Sequence, residues 1–321
     1  MLLTGASGGL GRHIAAEILA RGHVLRAFDL ATPAATRWAR GLSGETELVW
    51  GDLRDDASVR RAVEGVDAII HNAFVIYPAS ERDPAAAEAV NVGGTKRIVE
   101  AAKALAPEAP FVFASSYHVH PYREDRGRPL RIDDEIAASD HYAAHKIAAE
   151  AIVRDSGLPA TILRLSSILL DRKMTPENLR LIFEIPMDTR FEMVHPRDAA
   201  TAFVNATETP AVRGRTLFVG GGPSCQRTYR RFYEEIFGAV GLGPFPDEAY
   251  SEKPFIGDWL DTAESEALLK FQRRTIANWV ETQRVRGPTR WATRLLRPLI
   301  QRWMLRYSQR WQSRHAALPG R

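Results

Sequence analysis

The chain opens on LLTGASGGLGRH, Leu2 to His13, and this stretch constrains the fold more than any other: Gly5-x-x-Gly8-x-x-Gly11 follows an apolar strand-like run and opens a helix-like one. A turn this tight needs positive φ, which glycine accepts freely. Strand, glycine turn and helix in that order aim backbone N–H groups and a helix N-terminus at one point, an arrangement suited to a pyrophosphate. Such turns are also built without any ligand, so the loop alone leaves both readings open.

The rest of the chain repeats the rhythm. Strand-length apolar runs at Met1–Thr4, His23–Asp29, Glu47–Asp52, Asp67–Ala73, Pro110–Ser115, Ala160–Leu165 and Arg215–Gly220 alternate with helical patterns. Leu10, Ile14 and Ile18 recur every four residues before Gly22; Val59–Gly65, Ala85–Leu105 and Ser139–Ser156 follow. Several runs are apolar nearly throughout, as in strands buried on both faces. Strand–helix alternation predicts the α/β class, a doubly wound parallel sheet. The expected division is a dinucleotide-binding domain over 1–165 with return segments from about 190–220, a smaller C-terminal substrate lobe over 166–286, and a tail over 287–321. The second strand ends on Asp29, 18 positions after Gly11. A carboxylate there accepts the adenosine ribose hydroxyls and repels a 2′-phosphate, which favours NAD over NADP as cofactor.

The 321 residues hold one cysteine, Cys225, so no intrachain disulfide can form. A reducing, cytoplasmic setting is expected, with no leader ahead of the glycine loop and no run long enough to span a membrane. The net charge of +4 conceals an asymmetry: no acidic residue follows Glu281, whereas ten arginines lie between Arg284 and Arg321. Residues 1–283 carry 33 basic and 39 acidic side chains, a net −6.

In order along the chain, TGASGGLG, GDLRD (Gly51–Asp55), HNA (His71–Ala73) and NVGGT (Asn91–Thr95) resemble the extended short-chain dehydrogenases/reductases, the NAD-dependent epimerase/dehydratase group. The resemblance runs from Met1 to about Asp198 and implies a Rossmann-type fold. It implies cofactor contacts from Gly5, Ser7, Gly8, Gly9, Leu10 and Gly11, adenine flanked by Asp52 and Leu53, and Asn72 and Ala73 beside the cofactor. Asn91 is expected near the active site, lining substrate together with Tyr117 and His118.

SSYHVH (Ser115–His120) follows the fifth strand and HYAAHK (His141–Lys146) comes later, Tyr142 standing 26 positions after Ser116. Tyr142 and Lys146, four apart, share a helix face. A phenol with a pKa near 10 is a poor base at neutral pH, and a neighbouring ammonium favours its ionised form. The expected catalytic set is Tyr142 for proton transfer, Lys146 for tuning and ribose binding, and Ser116 for orientation of the substrate oxygen. Sugar-nucleotide dehydratases of the resembling family carry an acid pair after this serine; here Tyr117 and His118 follow, so elimination lacks its acid. His118, His120, His141 and His145 match no ligand spacing, and no metal is expected. Leu169 and Leu170 replace the family's Gly-Pro, and the path to FEMVHPRDAA is short, which argues for a small or lipophilic substrate over a nucleotide sugar. In that block His195 and Asp198 are expected to knit the lobes.

The tail carries Trp291, Leu295, Leu299, Trp303, Tyr307 and Trp311 every four residues, with arginines in a parallel row. This predicts a cationic amphipathic helix, or two such helices broken at Pro298. Residues 289–314 suit an anionic membrane surface, at the inner face of a membrane, as well as they suit packing on the body or a homodimer; nucleic acid ranks last, the body being acidic. The reading drawn is an NAD-dependent oxidoreductase acting on a secondary alcohol or ketone. An NAD-retaining epimerase of a sugar-like substrate and a dinucleotide-binding membrane scaffold are the alternatives.

Overall fold

The computed structural model describes residues 1–170 and 175–316. In chain order the elements are β1 (Leu2–Thr4), α1 (Gly9–Ala20), β2 (Leu25–Asp29), α2 (Pro33–Ala39), β3 (Thr46–Trp50), α3 (Asp56–Val63), β4 (Ile69–His71), α4 (Ala79–Arg82), α5 (Pro84–Leu105), β5 (Phe111–Ser116) and α6 (His141–Arg154). They continue as β6 (Ala160–Leu165), β7 (Ser167–Ile168), α7 (Pro176–Glu184), β8 (Arg190–Val194), α8 (Pro196–Glu208), β9 (Thr216–Val219), β10 (Gln226–Thr228), α9 (Tyr229–Val240), α10 (Ala263–Leu269), α11 (Ile276–Gln283), α12 (Gly287–Leu305) and α13 (Gln309–Ala316).

All seven predicted strands join one parallel sheet in the order β3-β2-β1-β4-β5-β6-β9. Strands buried on both faces need apolar residues at every position, and β1, β4 and β6 are buried throughout. One core layer joins Leu3, Ile14, Ile18, Phe203 and Val204, placing α1 and α8 on one face. The opposite layer joins Leu2, Val59, Ile98, Phe111 and Val153, placing α3, α5 and α6 on the other. Carboxylates start the helices of this second face: Asp55 caps α3, Asp83 caps α5 and Asp140 caps α6, which meets N–H groups the helices leave free.

Strand order reverses between β1 and β4, so the crevice past their C-terminal ends is where a ligand of this fold sits. The smaller lobe rises beside it around the three-stranded sheet β10-β8-β7, which the sequence pattern did not reveal. Two buried carboxylates anchor this lobe. Glu192 accepts the N–H groups of Gly222 (3.0 Å) and Leu260 (2.8 Å) and the Gln226 amide (2.9 Å). Asp198 accepts the N–H groups of Arg273 (2.9 Å) and Arg274 (2.7 Å) and pairs with the Arg274 guanidinium.

Of the two forms expected for the tail, a break at Pro298 is corrected. Helix α12 runs through Pro298, and the chain turns instead between Arg306 and Ser308. There the N–H groups of Tyr307 and Ser308 reach back to Met304 and Leu305, and Ser308 Oγ accepts Trp311 N–H to cap α13.

Candidate active site

The glycine loop is built as its spacing requires. Gly5 has φ +66° and faces the Ala73 backbone, where a Cβ would stand 2.8 Å from Ala73 Cα. A Cβ on Gly11 would lie 2.0 Å from Gly5 O, so only glycine lets α1 start this close to the turn. Gly8 caps α1 without a side-chain acceptor, so the cap itself supplies no side-chain partner to the first N–H groups of the helix. Ser7 fastens the loop to β2: its N–H and hydroxyl both donate to Asp29 Oδ2, at 2.8 and 2.7 Å. Asp52 holds Arg54 (2.6 Å) in the turn after β3, and buried Leu53 packs below it against α5.

A directed hydrogen-bond chain crosses the switch point. Thr4 Oγ1 accepts the N–H groups of Asn72 and Ala73, both at 3.1 Å, so its own proton goes to His71 Nδ1 at 2.8 Å. His71 therefore carries its proton on Nε2, which donates to Thr95 Oγ1 (3.0 Å), and Thr95 donates to Asn91 O (2.5 Å). Asn91 is fully buried, and its amide clamps both backbone groups of Val75, at 2.7 and 2.9 Å. Expected near substrate, Asn91 is placed by the structure with its polar atoms shaping the loop after β4. Tyr117 likewise turns inward, among Leu130, Phe218 and Leu260. Of the three residues expected to line substrate, His118 alone stays half-buried beside Tyr142, with 6.0 Å between ring centroids.

Ser116, Tyr142 and Lys146 come together at the end of β5 and the first turns of α6. Ser116 Oγ accepts His118 N–H at 3.2 Å, and the Ser116 hydroxyl beside the Tyr142 phenol pulls its pKa down. Asp140 accepts Ala143 N–H (2.7 Å) and bonds His118 Nε2 (2.9 Å). Burial pushes the Asp140 carboxyl up, but the bonds from His118 and Ala143 outweigh it and leave it below the usual range. Glu81 accepts Tyr142 N–H at 3.1 Å, a carboxylate placed at the positive end of α6.

The tuning of Tyr142 differs from expectation. Burial pushes its phenol up to about 12 despite the Ser116 bond. The Lys146 ammonium is withdrawn from it, donating to Ala114 O at 2.5 Å and lying 3.4 Å from the Phe74 ring centroid, against 5.8 Å to the Tyr142 ring. Burial also drives the Lys146 pKa well below normal, against the pull of Glu150 one turn on. Phe74, edge-on to Tyr142 at 5.9 Å, and Glu81 were missed by sequence reasoning. Phe74 directly follows the His-Asn-Ala motif, which was the available signal; Glu81 had none.

Below the triad, Glu150 and Arg164 form a buried fork at 2.9 and 2.7 Å, with Ser115 donating to Glu150 at 2.5 Å. Arg164 also donates to His120 Nε2 (3.0 Å), so His120 carries its proton on Nδ1, toward Glu135 O (2.9 Å). Both buried imidazoles stay neutral: burial, aided by Lys146, lowers His71 to about 3, and burial with Arg164 lowers His120 to about 4. Unfolded histidine titrates near 6.5. Below that pH the unfolded chain takes up protons that the folded chain refuses, so stability falls as pH falls. Each ring is expected to cost about 2 kcal/mol between pH 7 and pH 5. Denaturant unfolding at both pH values measures this, and His71→Asn should remove its share of the slope.

The switch-point loop, the Asp29 carboxylate and the serine–tyrosine–lysine cluster agree with the comparison that decides the family: residues 1–220 match the model of the "NAD dependent epimerase/dehydratase family". The chain belongs to that family. Among curated relatives, uronate dehydrogenase of Pseudomonas syringae pv. tomato is 34% identical over 147 residues, 44% of this chain and 50% of that protein. Sterol demethylase protein B of Methylococcus capsulatus is 38% identical over 104 residues, 32% of this chain and 30% of that protein. The chain thus spans about half or less of the length of these relatives. A short-chain dehydrogenase/reductase superfamily protein from Agrobacterium tumefaciens, solved with bound NAD, shares the fold with a TM-score of 0.70 at 24% identity, over 93% of this chain and 99% of that one. NAD is the cofactor of the family, and the residues here fit it. The bare backbone at Gly5 and Gly11 leaves room for a pyrophosphate, and Asp29 stands at the ribose end of β2. The apolar Leu170 packs over Gly9, its Cδ1 2.8 Å from where a Cβ on that residue would lie.

Proposed function

We propose that the protein interconverts a secondary alcohol and a ketone, with Tyr142 exchanging the hydroxyl proton, Ser116 holding the substrate oxygen, and NAD held by Gly5, Ser7, Gly8, Gly9, Leu10, Gly11, Asp29, Asp52, Leu53, Asn72, Ala73, Tyr142 and Lys146. The observation that carries this reading is that Ser116, at the end of β5, and Tyr142 and Lys146, on the first turns of α6, lie together at the switch-point crevice, with Lys146 Nζ 5.8 Å from the Tyr142 ring centroid. When bound, the nicotinamide supplies the two-electron exchange with the carbinol carbon. Tyr142 supplies the proton: a phenol held near 12 is protonated at neutral pH, the form that gives a proton to a carbonyl oxygen. Lys146 would bind the cofactor ribose, and its ammonium would favour the phenolate that alcohol oxidation needs. Elimination finds no acid, because Tyr117 and His118 follow Ser116 and Asp140 is committed to His118 and the helix cap.

The relatives' names span a sugar acid and a sterol, and Leu169–Leu170 with a short following segment support a small or lipophilic substrate. The test incubates the protein with uronates, simple secondary alcohols and hydroxysteroids in the presence of NAD or NADP, following the absorbance of the reduced nicotinamide. Net reduction is expected, with NAD preferred at least about tenfold through Asp29. Epimerised substrate with no net cofactor change would instead select the epimerase alternative.

A further inference from the structure

We infer that the outward face of α12 is a docking surface for an anionic phospholipid bilayer. The tail is fixed to the lobe at its C-terminal end. Ile300, Met304, Leu305, Tyr307 and Trp311 join the lobe core around Phe183 and Tyr250. Gln301 donates to the carbonyls of Leu242 (2.9 Å) and Pro244 (3.0 Å), and Ser308 to Ala249 O (2.5 Å). These contacts set the rotation of the helix. Gln301 faces the body, while Trp291, Leu295, Leu299 and Trp303 stand outward, exposed by 72, 66, 65 and 43%. A helix serving the fold alone turns its apolar stripe to the core. Here a stripe of four apolar residues, just over three turns long, is turned away from it, and a contiguous exposed apolar patch marks an interaction site.

Charge identifies the occupant. Neither α12 nor α13 contains an acidic residue. Arg302, Arg306 and Arg314 are exposed, and among the described residues no carboxylate pairs with them, the tail's ion pair being that of Arg310; Arg294 and Arg297 lie on the body side of the helix, against Gly241 and Gly243. A lipid surface with anionic headgroups satisfies both features at once. The tryptophans and leucines enter the acyl boundary, and the guanidinium groups reach back along their stems to phosphates. A second copy of the chain fits less well, because a two-fold contact sets the same patch against itself and so opposes two arginine rows. The helix lies along the surface: among the described residues no helix is long and apolar enough to cross a membrane.

The test is flotation of the full chain with vesicles of phosphatidylcholine alone or with about one-third phosphatidylglycerol. Expected is at least about tenfold more protein on the anionic vesicles, reduced by salt. Trp291→Ser/Leu295→Ser/Leu299→Ser should lose about tenfold in binding with an unchanged melting temperature, since these side chains are exposed. Arg302→Gln/Arg306→Gln should narrow the gap between the two vesicle types. Wild-type protein left unbound by the anionic vesicles overturns the proposal. So does equal binding to both vesicle types, or a dimer in sedimentation that the triple substitution dissociates, which would assign the face to a second copy.

Discussion

Tyr142→Phe is expected to lower turnover by about 10²–10⁴-fold, the range for loss of a positioned proton donor, while leaving NAD affinity within a few-fold of wild type. The substitution removes one buried oxygen and keeps the ring, so the edge-on contact with Phe74 and the packing beside His118 survive. Ser116 loses a partner but still accepts His118 N–H. A fold defect is therefore not expected, and an unchanged melting temperature shows that the loss is chemical. Steady-state rates with the best substrate, beside a titration of NAD by protein fluorescence, separate the two quantities. Turnover close to wild type would falsify the role given to the phenol and with it the reaction proposed.

Arg164→Met should cost about 3–5 kcal/mol of folding stability, as breaking a buried ion pair from one side does. Both Arg164 and Glu150 are buried, and the guanidinium also serves His120 and the Ile132 carbonyl. Without it, Glu150 keeps only Ser115 and the half-exposed Arg154, at 3.3 Å. Replacing both partners together, Arg164→Met with Glu150→Leu, should recover much of the loss, since no buried charge is then stranded. Urea unfolding of the single and double variants measures the difference. A single variant as stable as wild type would mean that water reaches Glu150.

The parallel sheet was legible because its central strands are buried on both faces and so appear as nearly unbroken apolar runs; all seven predicted runs, the more exposed edge strand β3 included, became its strands. The glycine loop was legible because its constraint is steric and local. The small sheet was not: β7 and β10 are two and three residues long, too short for any period to show. Helix α2 was hidden for a similar reason, burying only Ala35. At the site, residue types and spacing brought Ser116, Tyr142 and Lys146 into one list, but the state of each depends on desolvation by distant segments. That is why the phenol moved up where a neighbouring cation suggested down. Asn91 shows the same limit, since a buried amide is committed by whichever backbone passes it, here that of Val75. In the tail, periodicity found the amphipathic helix yet could not tell which way its stripe would turn, because Gln301 and Ser308 set that through the carbonyls of Leu242, Pro244 and Ala249, 57 to 59 positions earlier.

Glu192 and Asp198 each gather N–H groups from stretches of chain that lie well beyond them, Gly222 and Leu260 for one, Arg273 and Arg274 for the other. The part of the molecule that would recognise substrate is thus stitched from several non-adjacent pieces and has no single seam. A gene cut at one point past Asp198 and rejoined to a foreign lobe would leave carboxylates stranded on one side of the join and N–H groups on the other. Diversification of such a chain must proceed by exchanging individual side chains around the crevice, not by trading whole modules.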